Sequence, residues 1–149
     1  MALDNGFDSD SEGWYPSQVY SCGAYGSILG GYGVLGGWGA TAQVTADTAV
    51  PHSEARLSFD FFRIDSWDSE TVYLYIDGVY QWELTDDWAW SGSSFCGDDR
   101  WYHSTDDVHP STTDFAHSDS TMQINFTGYL DQGAYDESWG LDNVVLWLR

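Results

Sequence analysis

Seven acidic side chains stand where they could hold a metal ion. The stretch IDSWDSE carries Asp65, Asp68 and Glu70 within six residues, with Trp67 among them. The stretch YDESWG repeats that chemistry with Asp136 and Glu137: acid, acid, Ser, Trp, then a glycine opening an apolar run. Crowded carboxylates repel one another and need a compensating charge. Ion pairs cannot supply it, because the chain has no lysine and only four basic side chains against 24 acidic ones. Hard oxygen donors in this number suit calcium, which takes about six to eight oxygens. The pattern therefore predicts that the two loops meet at one end of the fold and share an ion, with independently solvated loops as the alternative. Asp142 and Asp8 form a second, looser set. DSDSEG (Asp8, Asp10, Glu12, Gly13) reads like the first half of a calcium loop, but its twelfth position, which needs a bidentate Glu, is Val19. That excludes an EF-hand.

Other chemistries find less support. His52, His103, His109 and His117 show no zinc-ligand spacing. No G-x-S-x-G occurs, and no pair of acids stands out for glycoside hydrolysis among so many. GYGVLG matches a dinucleotide fingerprint but lacks the strand before it and the helix after it. The chain is read as not an enzyme. A binding surface is better marked. DDWAWSG and DDRWYH place Trp88, Trp90, Trp101 and Tyr102 in polar frames. Such rings stack on sugars or anchor protein interfaces; the alternative is that they cap the core beneath a long loop. Cys22 and Cys96 fit one disulfide in an oxidising compartment, with two buried free thiols as the other reading. Asn125, in NFT, is a glycosylation acceptor on the polar face of an alternating strand.

At 149 residues the chain is expected to form a single domain, residues 1–149. A formal charge of -20 repels nucleic acid and anionic membranes alike. Nine Trp, ten Tyr and seven Phe supply too much apolar area for disorder. No run reaches the roughly 18 apolar residues of a membrane span, so no insertion is expected, and no leader segment is read.

The elements that must carry these residues are strands. EARLSFDFF alternates Ala55, Leu57, Phe59 and Phe61 with Arg56, Ser58 and Asp60. TVYLYI sets Val72, Leu74 and Ile76 against Tyr73 and Tyr75, and Asp77-Gly78 turns it into VYQWEL, a hairpin signal. GATAQVTA, TMQINF and NVVLWL read as further strands. Residues 26–39 read as turns and short strands, and residues 91–119 as a long irregular loop pinned by Cys96. Short strands without helices between them predict an all-β, antiparallel β-sandwich of the jelly-roll kind.

GFDSDSEGW near the start and WGLDNVVLW at the end resemble calcium-containing jelly-roll modules of the carbohydrate-binding kind. RIDSWDSE and HSDSTMQINFTGYLDQGAYDESWGLDNV look closer still to cysteine-containing extracellular domains of protist surface proteins. The resemblance implies a structural calcium near both chain ends, with Asp8 and Asp142 on matching positions. It implies an extracellular or cell-surface location. The function expected is a non-catalytic, calcium-stabilised structural or adhesive module, partnered by copies of itself or other surface proteins. The alternative is a lectin-like module that binds glycans.

Overall fold

The computed structural model describes residues 1–149, which form ten strands and one short 3-10 turn. The strands are β1 (Leu3–Asn5), β2 (Val19–Ser21), β3 (Ser27–Gly30), β4 (Trp38–Asp47), β5 (Glu54–Asp65), β6 (Asp68–Ile76), β7 (Val79–Asp87), β8 (Asp107–Ala116), β9 (Thr121–Tyr129) and β10 (Glu137–Leu148). They make two antiparallel sheets. One runs β2-β3-β10-β5-β8, with β1 also on β10; the other runs β4-β9-β6-β7. No helix is long and apolar enough to cross a membrane.

Period-two alternation determines which face each strand buries. Ala55, Leu57, Phe59 and Phe61 of β5 point inward, as do Val72, Leu74 and Ile76 of β6 and Met122, Ile124 and Phe126 of β9. Trp139 of β10 lies at the centre, stacked on Phe61 at 5.7 Å, and Phe59 meets Phe126 edge to face at 4.9 Å. Gly128 is what lets the sheets close over Trp139. A Cβ there would lie 2.6 Å from the indole Nε1. Asp77-Gly78 forms the expected tight turn, with Ile76 opposite Val79.

One expected loop is partly a strand. Within residues 91–119, β8 runs for ten residues along β5, from Asp107 opposite Arg63 to Ala116 opposite Glu54. It lies at a sheet edge, so its outer side makes no ladder, few of its side chains are buried, and Pro110 is tolerated. Its apolar alternation is correspondingly faint. The β7–β8 loop itself covers residues 88–106, and residues 117–119 fall in the β8–β9 loop.

Candidate metal centre and binding groove

The two acidic stretches do meet. β5 ends at Asp65 directly opposite Glu137, the first residue of β10. Trp67 turns into the core and donates its indole N–H to the Ser138 carbonyl at 2.9 Å. The Ser66 hydroxyl donates to the Asp136 carbonyl at 3.1 Å. A tryptophan buried between two acidic loops thus holds them side by side.

Four carboxylates converge at that junction. One oxygen from each of Asp68, Glu70, Asp131 and Glu137 lies within 4.8 Å of the others. Asp68 and Glu70 open β6, Asp131 follows β9, and Glu137 opens β10, so both sheets contribute. Glu137 is fully buried, and neither of its carboxylate oxygens has a hydrogen-bond partner. Glu70 is 8% exposed; its Oε1 is also unpartnered, while Oε2 accepts the Asp68 N–H. Burial pushes both glutamates above the ordinary carboxylate range. For Glu70 the Asp68 side chain and the charge of Glu137 add to this; for Glu137 the neighbouring Glu70 carboxyl, which can share its proton with it, opposes the rise, and the charges of Asp131 and Asp68 add to it. Buried acceptors without donors are costly. A divalent cation would satisfy them at once, and the donor set, all hard oxygen, fits calcium.

Three of the five residues predicted for this set, Asp68, Glu70 and Glu137, are brought together. Asp65 and Asp136 are not. Asp65 has a positive φ of 69° at the end of β5, and its carboxylate faces the β7–β8 loop. There Oδ2 accepts the Asp98 N–H at 3.1 Å, and a Cβ on Gly97 would lie 2.4 Å from Oδ1. Burial, then the charges of Asp106 and Asp98, raise Asp65 to about 7. Asp136 contributes its carbonyl, not its carboxylate, to the loop junction. Asp131 takes their place. The signal was its position two residues after Tyr129, which pairs with Thr71 and so puts Asp131 at the mouth of β6.

The second predicted set lies elsewhere. Asp142 is 6% exposed at a bulge in β10, where its Oδ1 accepts the Asn143 N–H at 2.8 Å. Burial raises it to about 6, and the charges of Asp60, Asp8 and Glu12 push the same way. The charge of Asp8 is thus felt at Asp142, as are those of Asp60 and Glu12, but these acids do not converge on one point as the first four do. A third group, Asp86, Asp107 and His109, already has a cation: the buried Arg63 guanidinium lies 2.9 Å from Asp86 Oδ2.

An open groove of about 480 Å³ begins at the four-carboxylate centre. It is lined by the acids Asp68, Glu70 and Asp131 together with the rings of Trp38, Tyr73 and Tyr129. These rings stand on the outer face of the β4-β9-β6-β7 sheet. Trp38 is 78% exposed and meets Tyr129 at 5.0 Å; Tyr129 meets Tyr73 at 5.9 Å. Trp38 sat in a glycine-rich stretch and Tyr129 at the end of an alternating run, so neither stood out by spacing alone.

The predicted aromatic residues cluster in the β7–β8 loop. Trp90 stacks on Tyr102 at 4.8 Å with planes 4° apart, and Trp88 packs edge-on against Trp90 at 4.7 Å. Part of their ring surface is thus spent on one another. Trp101 stands apart, beside a recess shared with Tyr135, His103, Gln132, Asp98 and Asp136. The loop is pinned by the Cys22–Cys96 disulfide. Asp106 Oδ2 also accepts the N–H groups of Phe95, Cys96 and Gly97 at 2.8, 2.8 and 3.1 Å. Asn125 lies on the outer sheet face, half-buried, with its amide donating to Gln43 Oε1 at 3.1 Å.

No family model matches the chain, and no curated protein matches it. Solved structures do resemble it. The C-terminal family 6 carbohydrate-binding module of LamC, a marine laminarinase from Zobellia galactanivorans, superposes with a TM-score of 0.54 at 14% identity, over 98% of each chain. A family 35 carbohydrate-binding module from Clostridium thermocellum gives 0.54 at 9% identity, over 100% of this chain and 99% of that one. The family 35 module of Abf62 from Cellvibrio japonicus gives 0.51 at 11% identity, over 99% and 97%. At these identities the likeness is one of fold: the chain has the β-sandwich architecture of carbohydrate-binding modules.

Proposed function

We propose that this chain is a non-catalytic, calcium-dependent carbohydrate-binding module. The observation that carries this reading is the adjacency of a buried, unpartnered Glu137 carboxylate to a groove walled by the exposed Trp38 ring. Calcium held by Asp68, Glu70, Asp131 and Glu137 stiffens the groove wall, and Trp38, Tyr129 and Tyr73 offer apolar faces to sugar rings. The fold shared with the family 6 and family 35 modules supports this over a purely structural role. The disulfide supports an extracellular setting. Glycan-array binding in calcium and in chelator tests the proposal, with Trp38→Ala and Trp101→Ala alongside. Binding that needs calcium and drops about tenfold or more in Trp38→Ala is the expected result. Binding lost only in Trp101→Ala moves the ligand to the loop recess with Tyr135. No binding to any glycan overturns the reading.

A second reading, self-association or docking to other surface proteins, is favoured by the exposure of Trp90, Trp101 and Tyr102 at one end of the molecule. Sedimentation with rising protein concentration in calcium tests it; a monomer throughout removes the self-association arm. The same proposals place calcium at Asp142 and Asp8 and a glycan at Asn125. Ion counting after Asp142→Asn and mass measurement of secreted protein check these.

A further inference from the structure

At the opposite end of β6 from the acidic centre, four imidazole nitrogens stand in one line. His52 lies in the β4–β5 loop and His117 in the β8–β9 loop. Their rings meet edge to edge, planes 14° apart and centroids 5.1 Å apart, with His52 Nε2 2.7 Å from His117 Nδ1. The outer nitrogens also have partners. His52 Nδ1 is 2.7 Å from the Val50 carbonyl oxygen, and His117 Nε2 is 3.1 Å from Asp77 Oδ2. Asp77 is fixed in the β6–β7 turn, where its Oδ1 accepts the Gln123 N–H at 2.8 Å and its own N–H donates to the Gln123 carbonyl at 3.0 Å. The His117 side chain is only 6% exposed.

The hydrogens can be counted. Both outer partners are acceptors, so both outer nitrogens must carry a hydrogen, and the junction between the rings needs one more. Two neutral imidazoles bring two hydrogens and two imidazoliums bring four; the line needs three. With two, one junction sets a lone pair against a lone pair or against a carboxylate. With four, N–H faces N–H across 2.7 Å. Placing one proton on Asp77 instead leaves the count unchanged.

We propose that His52, His117 and Asp77 form a proton-counting latch, closed only when the trio holds one proton beyond two neutral rings and a carboxylate. Closed, it ties the β4–β5 loop, the β8–β9 loop and the β6–β7 turn together. It opens on both sides of an intermediate pH window. The charged groups on the elements around it are few. Asp47 and Glu54 flank the His52 loop, and Asp47 Oδ1 accepts the Ala49 N–H. Asp119 follows His117 and gives its carbonyl to the Thr48 hydroxyl. Arg149 accepts the Ser53 and Glu54 N–H groups at its carbonyl, and its guanidinium lies 3.6 Å from Asp114. Asp77 is the one carboxylate hydrogen-bonded to the pair. Opening frees the Val50 carbonyl beside the apolar recess of Met1, Ala2, Val50 and Leu148.

Nitrogen-detected NMR of the histidine rings, with amide exchange at His117, tests the latch from about pH 4 to 9. The His117 N–H donates to the Ser53 carbonyl across the latched loops. Its exchange, corrected for the intrinsic pH dependence, should be slowest inside the window and about tenfold faster on either side. The two rings should titrate in two coupled steps. In His52→Gln the His117 ring should titrate in one step. In Asp77→Asn the amide oxygen can keep the Gln123 N–H while the amide nitrogen donates to His117 Nε2, so two neutral rings complete the line and protection should persist to high pH. Independent single-step titration of both wild-type rings, or corrected exchange that does not change with pH, overturns the latch. The wild-type measurement decides the matter by itself should a variant not fold.

Discussion

Glu137 shows how much one side chain can settle. It is buried with two acceptor oxygens and no donor, next to Glu70 in nearly the same condition. Without a cation such groups keep their protons, and the consequence for stability runs against habit. Glu70, Glu137, Asp65 and Asp142 all hold protons above the ordinary carboxylate range in the folded chain. The unfolded chain gives them up near the ordinary values of about 4. Between those limits the folded state binds more protons, so metal-free protein should lose stability as pH rises from about 5 to 8. Melting in chelator should show this, and saturating calcium should flatten it. Calcium at about one hundred times its Kd stabilises by about 2.7 kcal/mol. Glu137→Gln should abolish that gain while melting no lower than wild type in chelator, as scanning calorimetry can check. Asp68, Glu70 and Glu137 were legible as loop chemistry because they stood beside apolar runs at turns, whereas Asp131 was not singled out. What spacing could not tell is which way a carboxylate points. Asp65, at positive φ, turns to the β7–β8 loop, and Asp131 enters through the register of β9 on β6.

Strands were legible wherever one face is buried, because alternation is then enforced by the core. β5, β6 and β9 are of this kind. β8 escaped because it is an edge with one buried apolar side chain, Phe115. Close approach between elements was not legible either: nothing in GYLDQG announces that Gly128 lies against an indole from the other sheet. Gly128→Ala should therefore cost about 1–3 kcal/mol by overpacking, read from denaturant midpoints. The β7–β8 loop depends on a different restraint. Replacing Cys22 and Cys96 together by Ser should cost about 2–4 kcal/mol, and exchange should quicken first at the amides that Asp106 holds.

Across the whole molecule, a formal charge of -20 governs the long-range electrostatics. Such a surface repels itself, so melting temperature should rise with sodium chloride up to about 0.15 M as screening takes hold. Calcium should raise it further at matched ionic strength, because two carboxylate groups with raised proton affinity lie at one centre. If salt alone reproduces the calcium effect, the centre does not bind the ion. The same field disfavours polyanionic ligands, so neutral polysaccharides fit this surface better than sulfated ones. The four-carboxylate centre draws Asp68, Glu70 and Asp131 from one sheet and Glu137 from the other. An ion there is a rivet between layers that otherwise adhere through side-chain packing. Pulled apart in a force spectrometer, the calcium-loaded chain should rupture at higher load than the stripped one.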